Sequence, residues 1–308
     1  MEGMSSTPIS RRRALGALLA PAIVPARPKV AFTFDDVNWM LIPPDCQRSA
    51  DERLLGALGR HRAALFVVGK NVDNKEGRVI LRRWDAAGHM LGNHTYSHTP
   101  IYRTTPESFE ADILRNEPIL RPHAGFVRRF RFPQLKEGAT RPARDHVRAF
   151  LDQHRYASGA VTIDASDWYY DQRLRNRPGI DVTRYRDVYL AHLWSRAEYY
   201  DGLAREVLPR PIPHTLLLHY NLINTLFLRD AIHMFESRGW AIVDATEAFA
   251  DPVFARRPDT APAGESLIWA LAKETGRFES RLRYPGEDDV YEKAVLDRIE
   301  NPAGASHP

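Results

Sequence analysis

The chain contains one cysteine, Cys46, which rules out an internal disulfide and any thiolate zinc cluster. A metal, if bound, is held by imidazole and carboxylate. No apolar run reaches the ~20 residues that a membrane-spanning helix needs. Charge of one sign is also scarce: 43 Lys and Arg against 39 Asp and Glu give +4, and without residues 1–26, which carry three Arg and Glu2, the charge is +2. Beyond residue 26 there is no basic run or interleaved aromatic stripe, so nucleic acid is not an expected partner. Repeats and low-complexity stretches are absent, which excludes solenoid arrays and long disordered segments. No protein partner is inferred.

What is present begins with a leader pattern. Arg11–Arg13 precede an apolar run, Ala14–Ala26, that closes on Val24-Pro-Ala26, a loose small-x-small cleavage pattern. Residues 1–26 are expected to be a signal peptide, of a kind that resembles a twin-arginine export signal. The remaining 282 residues suit a single large core.

Short apolar runs recur at Val30–Phe34, Ala64–Val68, His89–Gly92, Val127–Phe132, Ala160–Ile163, Thr215–Leu218 and Trp240–Val243. Their length suits strands buried on both faces. Helical patterns lie between them at Asp51–Arg60, Arg78–Ala87, Pro106–Leu120, Arg141–His154, Thr183–Val207 and Asn224–Ser237. Seven strands alternating with six helices predict an α/β fold with parallel pairing. Ionisable residues collect at five strand ends: Asp35-Asp36, His94, Arg131, Asp164 with Asp167, and His219. A barrel builds its site from such ends, whereas the Gly-rich turn of a dinucleotide-binding sheet is missing after the first strand. The expected architecture is a distorted (β/α)7 barrel with an incomplete seam.

Two adjacent carboxylates at a strand end point in different directions, so one can bind a cation while the other takes a proton. His94 and His98, at i and i+4, are expected to share one face of a helical turn; with one carboxylate they make three protein ligands and leave a position open for water, the pattern of a catalytic zinc site.

Thr33-Phe-Asp-Asp36, Asn93-His-Thr-Tyr-Ser-His98, Phe130-Arg-Phe-Pro133, Asp164-Ala-Ser-Asp-Trp168 and Leu216-Leu-Leu-His219 resemble, in order, the five motifs of the polysaccharide deacetylase family of NodB-homology, carbohydrate esterase type. The resemblance spans about residues 29 to 250. It implies the distorted barrel and metal-dependent hydrolysis of acetyl groups on an acetylated glycan. It further implies Asp36, His94 and His98 as ligands of one divalent metal (zinc, or else cobalt or nickel), Asp35 as general base and His219 as general acid. Arg131 would pair with Asp35 and hold it ionised; the third motif departs from the common form at Phe132 and Gln134-Leu135, so Arg129 is a second candidate. Asp167 would orient His219, with Trp168 and Leu217 in contact with substrate.

The expected organisation is then residues 1–26 as leader, 27–255 as catalytic domain and 256–308 as a C-terminal extension packed on the barrel. The expected activity is deacetylation of N-acetylated sugars, by an exported enzyme. An O-acetyl esterase, a cyclic-amide hydrolase and a non-catalytic glycan-binding barrel are the alternatives, the last disfavoured because a binder needs neither Asp35 nor His219.

Overall fold

The computed structural model describes residues 27–284 and 288–301; the expected leader, residues 1–26, lies outside them. Strand β1 (Lys29–Asp36) is at the centre because Val30-Ala-Phe-Thr-Phe34 has no polar face: its residues are 0–1% exposed. Parallel partners flank it, β2 (Ala64–Val67) and β7 (Pro213–His219). From β2 the sheet continues through β3 (Met90–Asn93), β4 (Phe126–Phe130) and β6 (Ala157–Ser158), all parallel. A short β8 (Ala241–Ile242) pairs with Lys29 and Val30. A separate antiparallel pair joins β5 (Lys136–Gly138) to β9 (Ala263–Gly264). The result is a curled parallel sheet wrapped in helices, the expected distorted barrel.

The seam has a definite cause. The expected strand Ala160–Ile163 does not form; Ala157–Ser158 pairs with β4, and Ile163 makes a lone parallel bridge to Leu216 of β7. Between them Gly159 passes over the Phe66 ring so closely that an added Cβ would lie 2.4 Å from Phe66 Cε1 and 2.8 Å from the Phe130 carbonyl. Gly92 abuts the same ring, its Cβ site 2.7 Å from Phe66 Cδ1 and Cε1. The closing segment is thus spent on clearing Phe66 rather than on a ladder. Likewise Trp240–Val243 contributes only Ala241–Ile242, because β2 occupies that side of β1 from Thr33 onward.

The helices Pro106–Leu120 and Thr183–Val207 have the expected bounds, the first capped by the Thr105 side chain accepting from Ser108 N. Helix Pro44–Leu58 starts about two turns earlier than Asp51, with proline at its first position. Asn74 and Asn221 cap helices Lys75–Ala86 and Leu222–Ser237. Two further helices, Asp167–Arg175 and Leu267–Glu274, carry weak or short patterns that the sequence does not announce. Because every strand of the main sheet runs the same way, the ends of β1, β3, β4 and β7 open on one side, over a cavity of about 610 Å³.

Candidate active site and metal centre

At the end of β1 the backbone turns sharply: Asp36 and Val37 both take left-handed φ, 76° and 56°. For a β-branched residue this is strained, and it is held locally. Asn71 Nδ2 donates to the Asp36 carbonyl (2.8 Å) and to Asn38 Oδ1 (2.8 Å), while Asn38 Nδ2 donates to Asp36 Oδ2 (2.9 Å). The turn separates the two carboxylates, as their adjacency suggested, and leaves Asp36 Oδ1 buried without a hydrogen-bond partner.

His94 and His98 are not on a helix. Residues 94–98 form a loop with left-handed Thr95 (φ 63°) and His98 (φ 59°), because polar side chains outcompete helical bonds for its backbone. Thr95 N donates to Asn93 Oδ1 (2.9 Å) and His98 N donates to Thr95 Oγ1 (3.0 Å). The imidazoles still converge, ring centres 4.9 Å apart. His94 Nδ1 donates to the Arg131 carbonyl at 2.8 Å, which leaves a lone pair on Nε2.

That Nε2 lies 3.5 Å from both Asp35 Oδ2 and Asp36 Oδ1, and His98 Nε2 lies 3.3 Å from Asp36 Oδ1. Burial lowers the His94 imidazole to about 3 and lowers His98 as well, so neither contact is an ion pair. Burial opposes the Asp36 charge, yet the positive charge around it, including His219 and Lys70, outweighs it and holds this carboxyl below its ordinary range. A carboxylate oxygen and a neutral imidazole lone pair thus face each other with no proton between them. The ligand atoms of Asp36, His94 and His98 lie within 4.8 Å of one another, and a divalent cation is what this donor set fits.

Beside them, Arg131 Nη1 donates to Asp35 Oδ1 (2.5 Å) and Thr33 Oγ1 (3.0 Å), and its Nε donates to the Gly159 carbonyl (2.7 Å). The guanidinium stacks 3.8 Å above Phe66. Arg129 points elsewhere, over Phe249 and onto the Ser158 carbonyl, so the geometry brings Arg131 and not Arg129 to Asp35. Burial raises the Asp35 carboxyl to about 6, outweighing Arg131, which pulls it down as expected, and His219, which adds to that pull.

Asp35 and His219 are register partners on neighbouring strands. His219 Nδ1 meets Asp167 Oδ1 at 2.7 Å, and Asp167 Oδ2 accepts from His219 N (2.7 Å), Asn221 Nδ2 (3.1 Å) and Asn224 Nδ2 (2.7 Å). Burial works against the imidazolium, but Asp167, then Asp36 and Asp35, raise it to about 10. Asp167 is fully buried; Trp168, next on the same helix, is 44% exposed at the cavity wall. Leu217 lines the cavity with little exposure.

Asn38, Asn71 and Asn224 hold the site although none of the five motifs contains them. Asn38, two residues past Asp36, and Asn224, three past Asn221, sit at spacings that cap and turn motifs use, which is their only signal. Arg283, Tyr284, Tyr291 and Glu265 of the C-terminal segment also wall the cavity. Close in sequence to the motifs, His89 is a core residue whose Nδ1 accepts from Ala63 N, and Glu137 pairs with Arg148.

Residues 23–149 match the polysaccharide deacetylase family. Over 111 residues the chain is 32% identical to a peptidoglycan-N-acetylglucosamine deacetylase of Bacillus cereus, a match covering 35% of this chain and 37% of that one. Over 157 residues it is 27% identical to a chitooligosaccharide deacetylase of Sinorhizobium fredii, covering 50% and 63%. The matches thus take in less than two thirds of these relatives' length. The fold resembles that of a chitin deacetylase from the fungal pathogen Colletotrichum lindemuthianum, with a TM-score of 0.51 and 21% identity over 73% of this chain and 89% of that one. Over residues 23–149 the chain matches the polysaccharide deacetylase family, and the motifs and the barrel agree with that match.

Proposed function

We propose that the protein is a divalent-metal-dependent hydrolase that removes acetyl groups from N-acetylated sugars of a glycan. One observation carries the reading: a buried, unpartnered Asp36 Oδ1 faces two neutral imidazoles, with Asp35 on one side and an Asp167-held His219 on the other. A cation held by Asp36, His94 and His98, a donor set that suits zinc, would polarise the acetyl carbonyl and acidify water.

The chain's own groups divide the proton work. Asp35 takes the proton of the attacking water on Oδ2, because Oδ1 is engaged by Arg131. His219 is charged, fixed by Asp167 through Nδ1, and gives its Nε2 proton to the departing amine. Trp168 and Leu217 bound the space for the acetyl group. Residues 11–26 support export, so the enzyme is proposed to act in the periplasm or outside the cell; among the described residues no helix is long and apolar enough to cross a membrane.

The test is acetate release from N-acetylglucosamine oligomers, before and after chelation and on return of zinc, cobalt or nickel. Release that survives full metal removal would refute the proposal.

A further inference from the structure

A second cavity, of about 350 Å³, lies at the seam and shares no lining residue with the one over the ligand triangle. Its walls are the end of β4 with β6, helix Arg141–Gln153, and residues 249–257. Deacetylation gives it no role.

Arg129 stands in one wall, half-buried, its guanidinium carbon 4.2 Å from the centre of the Phe249 ring and its Nη1 donating to the Ser158 carbonyl. The remaining edge of the fork, Nε with Nη2, donates to nothing among the described residues. Unlike Nη2 of Arg131, these two nitrogens are not sealed from solvent, so a molecule in the cavity reaches them. Arg148, also on the lining, shows what such an edge takes: its Nε and Nη2 both donate to Glu137 Oε2, at 2.9 and 2.5 Å. Arg129 has the same edge and no carboxylate on it. Burial and the neighbouring Arg131 charge depress it to about 10, so it is a cation at neutral pH that gains from an anion.

The surroundings narrow that anion. On the lining Arg148 is matched by Glu137, Arg257 by Asp152, and Asp251 by Arg210. Arg129 and Arg256 pair with no carboxylate of the described residues, so the lining together with its partners carries two positive charges in excess. Glu137 and Asp251 nevertheless lie on the same walls, which favours a single acid group over a phosphate or a polyanion. A planar carboxylate fits the open guanidinium edge. Phe132, Phe249, Phe254 and Leu151 supply apolar wall, which suits an apolar body behind the acid.

We propose that this cavity is a binding site for a small organic monocarboxylate with an apolar body, gripped side-on by Arg129. It is separate from the catalytic cavity, and the inference does not rest on the deacetylase reading.

Calorimetry on the full chain would compare 3-phenylpropionate with 3-phenylpropionamide, once zinc-loaded and once after chelation. The acid should bind about tenfold more tightly than the amide in both states, since no metal ligand lines the cavity. Acetate, which has the head without the body, should bind the chelated protein about tenfold more weakly than 3-phenylpropionate. Arg129→Gln should erase the preference for the acid and leave the amide's affinity unchanged, whereas Arg129→Lys, which keeps the charge and loses the fork, should restore part of it. Equal affinities of acid and amide for the parent protein would overturn the site, whatever any variant does. A preference that disappears on chelation would assign the acid to the metal centre and overturn it as well. So would a preference undiminished in Arg129→Gln, or acetate bound as tightly as the longer acid.

Discussion

At the scale of single residues, the site divides groups that differ by one hydrogen bond. Asp35 and Asp36 are neighbours in sequence, yet one is clamped by Arg131 and the other has a bare oxygen toward two imidazoles. Asp35→Asn keeps the shape and removes the proton acceptor, so turnover should fall ~10²–10⁴-fold while metal content is retained; acetate assays paired with elemental analysis check both. His219→Ala should lose comparably on glycans and much less on an activated aryl acetate, whose leaving group needs no proton. The pH profile follows from the same pair. Activity should rise as Asp35 ionises, at or below about 6, and fall as His219 loses its proton, at or below about 10, since a bound cation's charge would lower both. A kcat/KM profile without an alkaline limb would remove His219 from the acid role. The candidate ligands were legible because the motifs print them; the choice between Arg129 and Arg131 was not, since residues two apart share a strand face and only the tertiary packing sets Arg131, just past β4, on Phe66 and Arg129 on Phe249.

At the scale of elements, the loop after β3 shows how the expected side chains can converge through a local structure other than the expected one. The i, i+4 spacing suggested a helix, and convergence is achieved instead by left-handed Thr95 held to Asn93. The Asn93 amide is saturated: it donates to the Ile113 carbonyl (2.9 Å) and Tyr156 Oη (2.8 Å), and it accepts from Thr95 N and Asn116 Nδ2 (3.0 Å). Asn93→Leu should therefore weaken metal binding ~10–100-fold, read by competition with a chelator, because the loop loses the bond that aims His98. The split strand at the seam carries its own consequence. Gly159→Ala would force a methyl against Phe66 and the Phe130 carbonyl, and the backbone oxygen cannot swing away. Destabilisation of ~1–3 kcal/mol in a denaturant titration is expected, with loss of the Arg131 bond to the Gly159 carbonyl lowering activity further. Sequence periodicity could not reveal this, because Ala160–Ile163 is apolar whether or not it forms a ladder.

At the scale of the whole molecule, the segment beyond residue 255 shares the cavity with the barrel, and it is tied down by charge as well as by apolar packing. Leu296 is fully buried, while Glu292 accepts from Arg196, Arg283 and Tyr170 Oη (3.3 Å) and lies 3.3 Å from His192 Nδ1. His192 Nε2 accepts from Ser166 N, so the same imidazole links the tail to the start of the helix that carries Asp167. Burial would raise the Glu292 carboxyl, but His192, Arg196 and Arg283 outweigh it and pull it down to about 2. A folded-state value below the unfolded one means that the ionised form favours folding. This contribution is complete above the ordinary glutamate value of about 4.3 and is lost as pH falls toward about 2, where the folded group also protonates. Glu292→Gln should thus cost on the order of 2–3 kcal/mol at neutral pH, and the deficit relative to the parent should shrink steadily between those two values. Urea titrations of both proteins across that range measure it. A deficit that stays constant with pH would mean that Glu292 acts through shape and hydrogen bonding alone, and that the tail is not held to the barrel by its charge.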